Sequence, residues 1–266
     1  MILCAILTSQ TIAQQLTSYQ WLRCSRIGDD LQVLHVSHCL YALRLSIQEL
    51  GSYYKNLPSL TVTPGFIPPR FCPFITSFVN AEGSQVAFKY VAPMERDLSC
   101  VTFRAIHEDT NTQVVVKFVS RYGKDAHCWM ASQGLAPKLI HYGKLESGYG
   151  TWALVVMEFI EGRTLSTLYG DDPLPQDVLG GIRHALDVLN NGGFVFGDLQ
   201  RPNVMLVEGT EPLGGRIRFI DFDWAGKEGP ELRYPFHLSE VVHNASGAQD
   251  YARITKEHQE RMLMNL

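Results

Sequence analysis

Three polar residues in the second half of the chain stand where turns meet apolar strands. In GGFVFGDLQRPNVMLVEG (192–209), Asp198 and Asn203 precede the apolar run VMLV, five positions apart. Downstream, Asp221 closes the apolar run IRFI in IRFIDFDWAG, and upstream Lys117 sits inside QVVVKFV. Taken singly, an Asp or Asn at a turn caps backbone N–H groups, and a strand lysine snorkels from a sheet edge. Taken together they suggest a different chemistry. Mg2+ takes a few hard oxygen donors and completes its shell with phosphate oxygens. A lysine amid apolar neighbours is costly to bury without an anion. A further carboxylate can orient a hydroxyl or accept its proton. The set points to the handling of phosphate and a divalent metal.

Such residues act only if the chain brings them together. From about residue 74, VAFKYV, CVTFRAI and QVVVKFV are rich in β-branched and aromatic residues, with HEDTNTQ as a hairpin turn. KLIHYGKLE and TWALVVMEFI read as two more strands, and GKDAHCWMASQG as a short helix ended by Gly134 and Pro137. The expectation is a five-stranded antiparallel sheet with one helix. The second half changes texture. PQDVLGGIRHALDVLNNGG puts Val178, Ile182, Ala185, Leu186 and Leu189 on one side of a helix. NVMLVEG and RIRFIDF read as strands around TEPLGG, and AQDYARITKEHQERMLMNL as a last helix. Ahead of the sheet, residues 29–56 carry Leu31, Leu34, Cys39, Leu43, Ile47 and Leu50 near a 3.6-residue repeat, which predicts an amphipathic helix packed on the main domain. The five prolines of PSLTVTPGFIPPRFCP then mark a linker.

Lys117 on the third strand, EFIEG after the fifth, GDLQRPN and then IDFD form an order that resembles the protein-kinase-like superfamily, which includes the aminoglycoside and choline phosphotransferases. In detail, RYGKDAHCWMASQGLAPKLIHYG with DFDWAGKEG and RYP is similar to uncharacterised kinase-like proteins of mushroom-forming fungi. The resemblance runs over roughly residues 85–260. It implies a two-lobed α+β fold: a helical extension and linker over 1–73, a small antiparallel N-lobe over 74–161, and a short, mainly helical C-lobe over 162–266. It implies ATP and Mg2+, with Lys117 on the phosphates, Asn203 and Asp221 on the metal, and Asp198 orienting or deprotonating the attacking hydroxyl. An acid on the helix is expected to pair with Lys117. Asp125 stands there, with the role of an ordinary helix-start acid as the rival reading. MEFIEGRTL resembles the hinge that meets adenine, through backbone groups of Phe159 to Glu161. The implied reaction is transfer of the γ-phosphoryl group to a hydroxyl, of a protein Ser/Thr first and of a small molecule as the alternative. A nucleotide-binding pseudokinase is the reading without catalysis.

The sequence also departs from that pattern. PMERD stands where a glycine-rich turn would cradle phosphates. Phe196 takes the place of a His that props the loop, and Gly197 that of an Arg which would read a phosphorylated activation segment. Asp223 takes the place of the glycine in DFG, where it would either add charge near the metal or cap the next turn, with the cap as the first reading. From Asp221 to the end there are 45 residues (266 minus 221), roughly half of what a peptide-binding platform uses.

Composition bounds the rest. The chain is 45% apolar with a net charge of −4, which describes a globular protein without a broad surface for nucleic acid or anionic membrane. Six scattered cysteines (Cys4, Cys24, Cys39, Cys72, Cys100, Cys128) lack any CxxC spacing, so buried free thiols in a reducing, intracellular compartment are expected, and no zinc. The apolar start MILCAILTSQTIAQQL is too short to span a bilayer and lacks a basic leader. NAS at Asn244 is a glycosylation triplet, a pattern without meaning in a cytosolic chain.

Overall fold

A computed structural model describes residues 3–7, 11–15, 29–56, 72–95, 101–145, 151–236 and 238–266. The chain divides into two compact units, Met1–Phe74 and Ile75–Leu266. In the first, β1 (Leu3–Leu7) pairs antiparallel with β2 (Thr11–Gln15), and α1 runs without a break from Asp29 to Lys55. The expected helix is therefore present. On it Leu31, Leu34, Ile47 and Leu50 are exposed, and Val36, Cys39 and Leu43 are half-buried. Most of the proline-rich linker lies outside the described residues.

The second unit opens with a sheet. Strands β3 (Ser77–Val79), β4 (Gln85–Pro93), β5 (Thr102–His107), β6 (Gln113–Val119), β7 (Leu139–Lys144) and β8 (Ala153–Glu158) are antiparallel in the order β3-β4-β5-β6-β8-β7. This is one strand more than the sequence predicts. β3 has three residues, too few to show alternation, and it forms through its ladder to β4. The central β6 is buried on both faces, which its unbroken VVVKFV run reflects. Val114, Val116 and Phe118 pack with Phe88, Phe103, Leu154 and Val156 on one face. Val115 and Val119 pack with Val155 and Met157 on the other. The period of two puts Lys117 on this second face.

Helix α2 (Lys124–Ser132) follows β6. After the sheet come β9 (Gly162–Thr164), α3 (Leu165–Tyr169) and α4 (Gln176–Asn191). Helix α4 buries Val178, Ile182, Ala185, Leu186 and Leu189, the side its sequence marks out. These residues lead a separate apolar core that also takes Met130 of α2, Phe196, Phe219, Phe222 and Met262. Trp129 of α2 donates its indole N–H to the Val188 carbonyl at 2.9 Å, fastening the two helices. Beyond α4 lie β10 (Phe194–Val195), β11 (Val204–Val207), β12 (Ile217–Phe219) and β13 (Gly226–Lys227). β11 pairs with both β12 and β9, and β10 with β13.

The last predicted helix is two helices, α5 (Glu240–Ser246) and α6 (Lys256–Met264). Gly247 ends α5 at φ +70°, Tyr251 takes φ +59°, and Arg253 bridges to Arg233, so residues 248–255 cannot continue the turn. Cys39, Cys72 and Cys128 are free thiols, as expected, but half-buried or exposed rather than buried. Among the described residues, no helix is long and apolar enough to cross a membrane.

Candidate active site

Two turns meet the inner face of the sheet. The first joins β10 to β11 and carries Asp198 to Asn203. The second follows β12 and carries Asp221 to Asp223. The β11–β12 ladder, Val204 opposite Phe219, sets them side by side, and the Ile220 N–H donates to the Asn203 carbonyl at 3.0 Å. Asn203 donates from its amide nitrogen to the Asp198 carbonyl at 3.1 Å and to Asp198 Oδ2 at 2.9 Å. That leaves its amide oxygen, the atom able to ligate a hard cation, without a hydrogen bond among the described residues. Gln200 also donates to the Asp198 carboxylate. Burial raises the Asp198 pKa and the Asp221 charge adds to it, while Gln200, Asn203 and Lys117 pull it back.

Lys117 reaches this site from β6. Its ammonium lies 2.8 Å from Asp221 Oδ1 and 2.8 Å from Asp223 Oδ1. The lysine side chain is 8% exposed, so it depends on those partners. Burial works against its charge, yet the two carboxylates outweigh it and its pKa is raised. Asp223 is pushed up to about 7, by burial first and then by the Asp221 charge. Asp221 holds φ +63°, a left-handed conformation that costs most residues and that Asp tolerates better than most. A strained carboxylate facing a buried ammonium is characteristic of functional positions.

Asp223 is therefore not the turn cap read from the sequence; it is the second carboxylate on Lys117. Asp125 does not pair with Lys117. It is exposed in the first turn of α2, the helix-start role that was its rival reading. A shorter side chain on that turn does not reach a lysine already held by two nearer acids.

Within the expected hinge segment, Phe159 to Glu161, two backbone groups are engaged. The Glu161 carbonyl accepts from the Glu208 N–H at 3.1 Å, and the Phe159 N–H points at the Gln113 carbonyl at 3.4 Å. Between them, Ile160 has neither its N–H nor its C=O in a hydrogen bond among the described residues.

Other supports escaped sequence reading. Phe196 packs against Phe219 and Phe222, at 4.9 and 5.4 Å between ring centroids, and its N–H donates to Gln259 Oε1 at 2.9 Å. The loop of Asp198 is thus propped by packing and by α6, without a histidine. Gly197 sits at φ +82°, and a Cβ there would lie 2.7 Å from the Trp224 carbonyl, so its small size is demanded by the backbone. His127 of α2 is fully buried. It accepts from the Tyr122 hydroxyl at 2.5 Å, donates to the Pro137 carbonyl at 2.7 Å, and stacks on Phe222 at 4.5 Å. With the Gly123 N–H on the Phe222 carbonyl at 2.8 Å, it ties α2 to the turn of Asp221.

The donor set fits a small divalent cation that keeps phosphate oxygens in its shell. Asp221 and the Asn203 amide oxygen would be its two protein ligands, and the Lys117 ammonium marks a place where the Asp221 and Asp223 carboxylates hold positive charge. Among the described residues, no three His, Cys, Asp or Glu side chains gather into an all-protein metal cage.

The sequence matches no known family model and no curated protein. Among solved structures, the PK-1 kinase of the Cydia pomonella granulovirus is similar, with a TM-score of 0.49 and 13% identity over 66% of this chain. The chain spans 65% of the length of that kinase. So distant a likeness carries no argument about chemistry, which rests on the site itself.

Proposed function

We propose that the chain is an ATP- and Mg2+-dependent phosphotransferase of two-lobed, protein-kinase-like architecture. One lobe is the sheet with α2, the other the helical part around α4, and the site lies where β6 meets the turns of Asp198 and Asp221. One observation supports this reading above the others: a buried lysine from the sheet shares carboxylates, at 2.8 Å each, with the turn beside the Asp198–Asn203 pair. A structural role needs no lysine between two aspartates, since apolar residues of similar size fill such a place at less cost.

In this reading Mg2+ supplies charge neutralisation on the transferring phosphate when bound, through Asp221 and the Asn203 amide oxygen. Lys117 holds the phosphate oxygens of ATP, and Ile160 offers its backbone groups to the base. Asp198 orients the acceptor hydroxyl and accepts its proton as the oxygen bonds to the γ-phosphorus and the bond to ADP breaks. Its raised pKa suits a base better than an ordinary surface carboxylate. The acceptor is an alcohol, with protein serine or threonine as first choice and a small molecule as the alternative.

The test is ATP turnover with Mg2+, read as γ-phosphate release and as label transferred to protein or to a panel of amino- and choline-type alcohols. Wild type turns over, and Asp198→Ala loses at least about a hundredfold. Binding of Mg-ATP without turnover in wild type supports the pseudokinase reading instead, which the substitution of His by Phe196 favours.

A further inference from the structure

Helix α1 carries a second kind of repeat. Val33, Val36, Leu40, Leu43, Ile47, Leu50 and Tyr54 follow one another at alternating spacings of three and four. That is a 3.5-residue period, the one that keeps a single seam against a supercoiled neighbouring helix, sustained over three heptads. Five of the seven, Val33, Leu40, Ile47, Leu50 and Tyr54, are between 49% and 65% exposed. We propose that α1 is a self-association helix, and that its seam is covered by α1 of a second copy of this chain.

The occupant follows from the seam's content. In heptad terms the first core position holds Val33, Leu40, Ile47 and Tyr54, and the second Val36, Leu43 and Leu50. Val33 and Ile47, β-branched at the first position, with Leu43 and Leu50 at the second, follow the preference for two strands. In a parallel pair each aliphatic layer from Val33 to Leu50 meets its own kind across the two-fold axis. The flanking positions that decide partner choice, including Ser37, Cys39, Ser46 and Gly51, carry a single charge, Arg44, so they give no charge pattern to select an unlike helix and little repulsion between identical ones. Seven such side chains with their flanks approach the ~800 Å2 per partner of a stable interface. Arg44 and Glu49 in mid-helix disfavour a bilayer interior.

The full chain is measured by light scattering after gel filtration and by sedimentation over a hundredfold range of dilution, roughly from well above to well below an ordinary dimer constant. Wild type runs at twice the 29.9 kDa chain mass and dissociates on dilution. Ile47→Lys and Leu40→Lys run as single chains, because a charge enters the seam. Lys is a better helix former than Ile, so helix content by circular dichroism stays unchanged. Leu45→Lys, an exposed position off the seam, keeps the dimer. A wild type of single-chain mass throughout, a mass of three or more copies, a dimer surviving Ile47→Lys, or equal damage from Leu45→Lys overturns the assignment.

Discussion

At the scale of the residue, Lys117 and its two aspartates are unequal partners. Removing the cation leaves Asp221 and Asp223 facing each other, whereas removing one carboxylate leaves the lysine still paired. Asp221→Asn therefore costs the ligand-free protein no more than about 1 kcal/mol, with Asp223 still 2.8 Å from Nζ. Lys117→Met costs about 1–3 kcal/mol, below the cost of breaking a fully buried pair because both carboxylates are about a third exposed. Urea melts of the two variants check the order. Equal losses would mean that Asp223 does not hold the lysine. This asymmetry was only half legible beforehand. Lys117, Asp198, Asn203 and Asp221 stand out because each is polar beside an apolar run. Asp223 reads first as a cap, and only second as added charge at the site, because local turn chemistry explains an Asp after a strand without reference to a strand a hundred residues earlier.

At the scale of the element, adjacent glycines in α4 give a controlled pair. A Cβ on Gly180 would enter open space, and one on Gly181 would lie 2.4 Å from the Gly214 carbonyl oxygen. Gly180→Ala raises stability by about 0.5–1 kcal/mol through reduced backbone entropy in the unfolded chain. Gly181→Ala lowers it by about 1–3 kcal/mol, because α4 must move off the segment it packs on. Thermal melts that shift both variants the same way would contradict the packing described for α4. Elements with strong periodicity, such as β6 and α4, were readable because one face or both are apolar. The split of the last helix was not: Tyr251 at φ +59° and the Arg233–Arg253 bridge are tertiary choices that overrule a helical composition. Support of the Asp198 loop by Gln259 was equally hidden, since a glutamine in a polar helix carries no mark of the N–H it will meet 63 positions away.

At the scale of the whole molecule, His127 joins sheet, α2 and the Asp221 turn, and it makes stability depend on pH. Burial lowers its pKa from 6.5 to about 4, against a partial rise from the Pro137 carbonyl. Asp223, raised from 3.8 to about 7, works the other way as pH falls; at His127, between 6.5 and 4, the unfolded chain binds a proton that the folded one refuses, so this histidine's share of stability falls as pH drops through that range and levels off below. The full contribution is about 3 kcal/mol. His127→Gln keeps a neutral side chain and flattens this limb of a pH–stability curve, so an unchanged limb would place the titration elsewhere.

The proposed activity depends on one convergence: Lys117 from the sheet with Asp198, Asn203 and Asp221 from two turns, which would form a place for metal-bound nucleotide. Calorimetric titration with ATP in the presence of Mg2+, set beside the ligand-free melting point, tests it most directly. Wild type binds ATP only with Mg2+, and Asp221→Asn loses that binding while melting within a few degrees of wild type. Metal-independent binding, or full affinity in Asp221→Asn, contradicts it.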